Sequence, residues 1–248
     1  MAFCKIHGEY DEAFRKVFGR QLPVGCPKCR SELEQLVNEQ DALQTEAIEA
    51  ETAQETREQL IKRGIEPEFF GVTLADYKPE TEDEQRALDA AKALLEGKIQ
   101  KLILLGSFGT GKTMLASVLA MLLDGVRITM FELSARIRAT YNGSGETDFD
   151  VLNSLLEYQF IAIDEIGRTK GSEAELNWLS YLIDKAHTRG IRLMLISNRR
   201  RMKNLPQERR NECFEMFLPN DSISRLKQNS VIVELTGRDR RGDFNAVF

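Results

Sequence analysis

The fold of this chain is decided by one stretch of eight residues, Gly106-Ser107-Phe108-Gly109-Thr110-Gly111-Lys112-Thr113. An apolar run at 101–105 precedes it, and good helix formers follow from residue 112. Glycines at this junction let backbone N–H groups surround phosphate oxygens, and the helix N-terminus adds a positive dipole. The stretch predicts a phosphate-binding loop in which Lys112 reaches the β- and γ-phosphates and Thr113 holds Mg²⁺. A glycine-rich turn without a ligand is the alternative.

Further apolar runs place this loop in an α/β fold. Strands are predicted at 101–105, 127–133, 159–163, 192–197 and 231–235, and helices at 82–96, 112–124, 135–141, 150–157 and 173–188. Continuous apolar runs are typical of strands that crossover helices cover on both faces. The expected fold class is therefore an α/β P-loop NTPase with a five-stranded parallel sheet.

Two carboxylates follow the run at 159–163. Ligands of open α/β sheets bind beyond the carboxyl ends of the strands, so Asp164 and Glu165 are expected to face the phosphate loop. Asp164 is predicted to hold Mg²⁺ together with Thr113, and Glu165 to polarise the attacking water as a catalytic residue. A solvated strand-to-loop corner is the alternative.

Two further polar residues are candidate catalytic groups. Asn198 ends the run at 192–197 and is a candidate sensor of the γ-phosphate, although asparagine also commonly starts turns. Arg225 lies in a helical segment ahead of the last strand. Its guanidinium is a candidate arginine finger for a neighbouring subunit's site, with a surface arginine as the alternative.

The N-terminus carries two pairs of potential metal ligands, Cys4 with His7 and Cys26 with Cys29. Two pairs, each separated by two residues, present four donors in the tetrahedral geometry that structural zinc prefers. About 30 residues cannot bury a stable core unaided, so a metal would stabilise them. We expect zinc at this site, with accidental free thiols as the alternative.

Composition divides the chain into three expected regions: a zinc-binding module at 1–30, an acidic helical connector at 31–63 and an ATPase domain at 64–248. The net charge of −5 gives no overall basic field, so contact with nucleic acid would need a local patch. Candidate patches are Arg136 and Arg138 with Tyr141, and the basic residues between 189 and 210. No run is long and apolar enough to span a bilayer, which favours a cytoplasmic protein without membrane partners.

The motifs resemble those of one family. GSFGTGKT at 106–113, IAIDEIG at 161–167, LMLISN at 193–198 and SISRL at 222–226 together resemble the DnaC-type helicase loaders and the related IstB-type transposition ATPases, which are AAA+ proteins. The resemblance runs from about residue 64 to the end. Only 23 residues follow Arg225, too few for a strand and a helical lid. No separate lid is expected, and Arg238, Arg240 and Arg241 remain candidates for the family's second sensor.

The resemblance implies an ATP-dependent loader of a replicative DNA helicase. In such a protein the N-terminal region binds the helicase, and the ATPase domain binds single-stranded DNA while it forms a homo-oligomer through a shared ATP site. The expected cofactors are ATP, Mg²⁺ and Zn²⁺. The Cys/His pairs resemble zinc modules on some phage-encoded loaders. Two alternatives stay open: an IstB-like transposition helper, and a nucleotide-gated adaptor with little hydrolysis.

Overall fold

The computed structural model describes residues 1–17, 20–32, 35, 54, 56–141, 145–168, 171–218 and 220–240. The chain divides into two compact units, Met1–Glu58 and Gln59–Phe248. Most of the predicted connector at 31–63 lies outside the described residues. Its end is helical at 56–62, and Gly64 follows in the left-handed region at φ 75°. Within the described residues, no helix is both long and apolar enough to cross a bilayer.

The N-terminal unit contains two antiparallel hairpins. The first pairs β1 (Ala2–Cys4) with β2 (Gly8–Tyr10), and the second pairs β3 (Phe14–Val17) with β4 (Arg20–Pro23). Residues 27–32 then form a short helix. The two pairs of Cys/His residues therefore lie at the first hairpin and at the start of this helix.

The second unit is a parallel sheet covered by helices. Its strands are β5 (Lys101–Gly106), β6 (Gly125–Thr129), β7 (Phe160–Asp164), β8 (Arg192–Ser197) and β9 (Ser230–Leu235). Its helices are α1 (Glu82–Leu95), α2 (Lys112–Leu122), α3 (Met130–Thr140), α4 (Asp148–Leu155), α5 (Glu173–Arg189) and α6 (Asn220–Lys227). The strand order is β6-β7-β8-β5-β9, so the predicted five-stranded parallel sheet is confirmed.

Alternating residues of β5, β7, β8 and β9 supply the two halves of the core, whereas β6 contributes to one half. On β5, Leu102 and Leu104 pack with α1 and α2, whereas Ile103 and Leu105 belong to the cluster that includes α3, α4 and α5. Both sets of side chains are at most 1% exposed. This two-sided burial explains why the strands have continuous apolar sequences.

The predicted strand at 127–133 is wrong in its second half, and the helix predicted at 135–141 begins earlier. The strand ends at Thr129, where α3 begins at once. Thr129 caps the helix: its hydroxyl accepts from the Glu132 backbone N–H, and the Glu132 carboxylate accepts from the Thr129 backbone N–H. This capping box starts a helix within a run that resembled a continuing strand.

The segment after β9 packs across α1 rather than forming a helix. Residues 236–240, the described part of this segment, contain no helix. Thr236 bonds to Asp83, Arg238 pairs with Glu80 at 3.1 Å, and Arg240 pairs with Glu84. These contacts bring the C-terminal segment to the phosphate loop.

Candidate functional site

Glycines determine the shape of the loop between β5 and α2. Gly106 and Gly111 have φ values of 106° and 81°, in the region that side-chain-bearing residues rarely adopt. A Cβ atom at Gly106 would clash with the Leu235 carbonyl oxygen, and one at Gly111 would clash with the Tyr77 ring. The loop conformation therefore requires glycine at both positions.

Lys112 is the first residue of α2 and lies almost buried, at 5% exposure. Its Nζ atom donates to the Gly106 carbonyl at 3.0 Å, to the Ser107 carbonyl and to the Thr110 hydroxyl at 3.3 Å. The ammonium group thus sits inside the loop. The first N–H groups of a helix lack intrahelical partners, so the loop and α2 together present donors and positive charge to an anion.

Thr113 and Asp164 come from different elements and meet at the loop. The Thr113 hydroxyl donates to Asp164 Oδ2 at 3.0 Å, and the Glu165 backbone N–H donates to Oδ1 at 2.7 Å. The Asp164 side chain is only 6% exposed. The structure therefore brings together the two residues that sequence predicts as magnesium ligands.

A buried arginine at this site was missed by the sequence analysis. Arg127 lies in the middle of β6 with a side chain 5% exposed, and its Nη1 atom donates to Asp164 Oδ2 at 3.2 Å. Its Nη2 atom pairs with Glu66, and its Nε atom donates to the Gly64 carbonyl at 3.0 Å. The one feature of the sequence that could have indicated a role for Arg127 is its position as a charged residue within an otherwise apolar strand.

Glu165 and Asn198 follow two neighbouring strands. Glu165 follows β7 in the left-handed region, at φ 59°, and its carboxylate pairs with Arg168. Asn198 follows β8, which lies between β7 and the strand that leads into the phosphate loop. Both residues line the same cavity as Lys112. Their predicted roles in hydrolysis remain predictions.

The cavity has a volume of about 970 Å³. Its lining includes Phe69, Phe108, Gly109, Thr110, Gly111, Lys112, Thr113, Asp164, Glu165 and Asn198. Tyr77 also lines it, but this ring is 2% exposed and its hydroxyl donates to the Thr110 carbonyl at 3.0 Å. Burial raises the pKa of Tyr77 to about 12. Tyr77 therefore packs against the loop and supports it.

One of the candidate second-sensor arginines reaches the cavity. The Arg240 backbone N–H donates to the Gly109 carbonyl at 3.1 Å, and its guanidinium lies 5.5 Å from the centre of the Tyr77 ring. Arg238, by contrast, is absent from the described cavity lining, and Arg241 lies outside the described residues. Among these three candidates, Arg240 is the one that the structure places at the loop.

Arg225 is not among the described residues that line the cavity at the phosphate loop of its own chain. It lies on α6, and its Nε atom is 3.0 Å from Asp184 Oδ1 on α5. Its side chain is 38% exposed. The residue is absent from the described cavity lining, so any contact with a nucleotide would involve a neighbouring chain.

Three of the basic residues after β8 pair with acids of the same chain. Arg200 pairs with Glu234 at 2.7 Å, Arg201 with Glu215 at 3.6 Å, and Arg209 with Glu212 at 2.8 Å. Arg199 donates to the Gly167 carbonyl at 2.8 and 3.0 Å and lies over the Phe217 ring. These contacts make the run a poorer candidate for a nucleic-acid surface than its composition indicated.

The four N-terminal Cys/His residues converge. The donor atoms of Cys4, His7, Cys26 and Cys29 all lie within 4.8 Å of one another. The Cys4 and Cys29 sulfurs are 3.5 Å apart, and His7 Nδ1 is 3.2 to 3.9 Å from the three sulfurs. Tetrahedral zinc with Zn–S bonds near 2.3 Å would separate sulfurs by about 3.8 Å, so the group could bind zinc.

The surroundings act differently on the thiols of this group. The backbone N–H of His7, followed by that of Ile6, lowers the pKa of the Cys4 thiol to about 6, whereas the hydrogen bond with Cys4 raises the pKa of the Cys29 thiol to about 11. A thiolate is the form of cysteine that binds metal. The other ring nitrogen of His7, Nε2, lies 3.0 Å from Glu32 Oε1, a contact that would orient the ring with Nδ1 towards the thiols.

Comparison with known families agrees with this geometry. Residues 102–220 match the model of the ATPase family associated with various cellular activities (AAA). The matched region contains the phosphate loop, Asp164, Glu165 and Asn198. The chain carries an AAA-family domain. Its ATPase fold is therefore established by both the sheet topology and the family match.

The comparisons also give individual proteins and solved structures that are similar to this chain. The replicative helicase loader DnaC of Escherichia coli (strain K12) is 29% identical over 182 residues, which is 69% of this chain and 74% of DnaC. A crystal structure of the DnaC helicase loader gives a TM-score of 0.56 at 18% identity, covering 68% of this chain and 99% of that one. AMPPCP-bound DnaA from Aquifex aeolicus gives 0.55 at 17% identity, covering 71% of this chain and only 53% of that one. These two structural similarities establish a shared fold.

Proposed function

We propose that this chain is an ATP-dependent loader of a replicative DNA helicase. The proposal rests on one observation: the similarity to DnaC covers 69% of the chain and so extends well beyond the AAA match at 102–220. A general ATPase fold alone would not favour a loader. In this proposal the ATPase unit binds single-stranded DNA and assembles with further copies, while the N-terminal region contacts the helicase.

The proposed chemistry is hydrolysis of the bond between the γ-phosphorus of ATP and its bridging oxygen by water. The loop and the N-terminus of α2 hold the phosphates, and Lys112 offsets negative charge on the β- and γ-phosphates. Glu165 orients and polarises the attacking water, and Asn198 contacts the γ-phosphate or that water. Arg225 from a neighbouring copy offsets charge in the transition state.

The residues at the loop fit a magnesium ion. Thr113 and Asp164 offer a hydroxyl and a carboxylate 3.0 Å apart, and Mg²⁺ prefers such hard oxygen ligands. When bound, Mg²⁺ would neutralise charge on the β- and γ-phosphate oxygens. The chain's own contribution is to hold the Asp164 carboxylate through both of its oxygen atoms.

The outer face of α3 is the better candidate for the DNA contact. Arg136, Arg138 and Tyr141 are exposed there, and Phe131 on the same helix is 61% exposed. Arginine with exposed aromatic rings is the combination that binds phosphates and stacks bases of single strands. The basic run after β8, by contrast, is already engaged with acids of its own chain.

Helicase loading tests this proposal. Mixed with the replicative helicase of its host and a closed circle of single-stranded DNA, the full chain should place helicase on the circle in the presence of ATP. A ring that encircles DNA cannot thread onto a closed circle without being opened. The amount of helicase that co-elutes with the circle in gel filtration measures loading, and it should rise several-fold only when the chain and ATP are both present.

Two double substitutions distinguish the loss of a specific DNA contact from a general loss of positive charge. Replacement of Arg136 and Arg138 by alanine should abolish loading, because phosphate contacts supply most of the affinity for a single strand. The matched control replaces Arg209 and Arg210 by alanine and should load normally. Equal amounts of helicase on the circle with and without the chain would contradict the loader function.

The N-terminal unit is proposed to bind one zinc ion through Cys4, His7, Cys26 and Cys29, within a module at residues 1–30. Three sulfurs and one ring nitrogen converge there at separations suited to tetrahedral coordination. Among the described residues up to 32, two short hairpins and a short helix bury little apolar surface, so the metal would provide much of their stability.

Metal analysis should find about one zinc per chain after expression with zinc supplied. Chelation should unfold the N-terminal unit, seen as a loss of circular dichroism signal, while ATP binding by the second unit persists. Cys29→Ser should lower zinc content, whereas Cys213→Ala should not, because Cys213 is fully buried in the ATPase unit. Purified parent chain without zinc would remove the zinc proposal but leave the ATPase proposal intact.

A further inference from the structure

The buried Arg127 lies between two carboxylates that belong to different parts of the ATPase unit. Asp164 ends β7 and carries the proposed magnesium ligand, and its Oδ2 atom is 3.2 Å from Arg127 Nη1. Glu66 follows the helix at 56–62, and it pairs with Nη2 of the same guanidinium. A single cation therefore serves both acids.

The segment that carries Glu66, residues 63–66, is attached along strand β6. The Arg127 backbone N–H donates to the Arg63 carbonyl at 2.9 Å, and the Arg127 side chain donates to the Gly64 carbonyl. The Arg63 side chain donates to the Gly125 carbonyl at 2.7 Å and pairs with Asp124 at 3.4 Å. We call residues 63–66 the approach segment, because the chain passes through them from the N-terminal unit into the sheet.

Glu66 depends on Arg127. Among the described residues, Arg127 is the only hydrogen-bond partner of the Glu66 carboxylate, whose Oε2 atom is buried without a partner. Arg127 has more partners, because its three kinds of nitrogen bond to Asp164, Glu66 and the Gly64 carbonyl. Glu66 makes no hydrogen bond to Asp164 or Thr113 in the described structure, so its influence on those ligands would pass through Arg127.

We propose that Arg127 is a positioning residue whose hold on Asp164 is set by Glu66, so that the approach segment controls magnesium binding. This proposal rests on the proposed ATPase function and concerns the regulation of that same site. With Glu66 in place, the guanidinium charge is shared between two carboxylates. Without it, the full charge acts on Asp164 and competes with Mg²⁺ for that carboxylate. Displacement of the approach segment, for example by a partner bound to the N-terminal unit, would have the same effect.

The test substitutes Glu66→Gln in the full chain and measures how strongly Mg²⁺ favours nucleotide binding. The readout is the dissociation constant of a fluorescent ATP analogue in EDTA divided by its value in saturating Mg²⁺. This ratio should fall by about tenfold, which corresponds to ~1.4 kcal/mol. Glu68→Gln is the matched control, since it removes the same charge from the same cavity rim and should leave the ratio within about twofold.

A double-mutant cycle tests whether the effect passes through Arg127. In an Arg127→Gln background, Glu66→Gln should no longer change the ratio. If Arg127→Gln does not fold, as judged by circular dichroism, the proposal is tested by comparing the ratio of dissociation constants in Glu66→Gln with that in Glu68→Gln. Equal ratios in these two variants, or an undiminished Glu66→Gln effect without Arg127, would overturn the proposal. Parent chain that shows no binding of the ATP analogue would overturn the nucleotide site itself.

Discussion

Arg225→Ala should reduce ATP hydrolysis by a factor on the order of 10³ while leaving ATP binding unchanged. The side chain lies outside its own chain's cavity and is 38% exposed, so a neighbouring copy could reach it if the pairing with Asp184 were exchanged. An arginine that reaches the γ-phosphate from a neighbour offsets charge that develops in the transition state. Lys227→Ala removes a cation from the same helix and is expected to hydrolyse ATP at the parental rate.

Mixing two inactive variants shows whether the site is shared. Lys112→Ala lacks an intact phosphate loop but keeps Arg225, and Arg225→Ala lacks the proposed finger but keeps the loop. Where the two variants meet, the intact loop of one can therefore be completed by the intact Arg225 of the other. Activity should return on mixing, and parental turnover should rise with protein concentration. Hydrolysis by Arg225→Ala at the parental rate would show that Arg225 is a structural partner of Asp184.

The sheet and the phosphate loop could be predicted because they depend on local sequence patterns. A strand buried on both faces must be apolar throughout, and a phosphate loop needs glycine where a Cβ atom would clash, as at Gly106. The start of α3 could not be predicted in the same way. The run after Thr129 is apolar enough for a strand. The capping box between Thr129 and Glu132 stabilises the start of a helix there instead.

The contacts of Arg127 and Arg240 were not predictable because they join residues far apart in sequence. Arg127 pairs with Glu66, 61 residues earlier, and Arg240 reaches Gly109 through the path of the C-terminal segment. Neither pairing has a spacing that a motif could reveal. The pairing of the basic run with Glu215 and Glu234 is also a tertiary property, which composition does not reveal.

Substitution of Lys112 is expected to weaken ATP binding, whereas substitution of Glu165 is expected to slow ATP hydrolysis. Lys112 bonds to the loop carbonyls and is placed to meet phosphate oxygens, so Lys112→Ala should weaken ATP binding by tenfold or more, since a hydrogen bond to a charged group contributes roughly 1.5–3 kcal/mol. Glu165 follows Asp164, the proposed magnesium ligand, and lines the cavity. Glu165→Gln keeps the shape of the side chain but removes the base, which typically contributes about 10²–10⁴ in rate.

The most direct test of an ATP-hydrolysing AAA site in this chain measures ATP binding and phosphate release on the same preparations of parent, Lys112→Ala and Glu165→Gln, with Mg²⁺ and single-stranded DNA present. We predict that Glu165→Gln binds ATP as tightly as the parent and releases phosphate at about 1% of the parental rate or less. Lys112→Ala should bind ATP poorly. Equal loss of binding in both variants, or phosphate release by Glu165→Gln at the parental rate, would contradict the roles assigned to these residues.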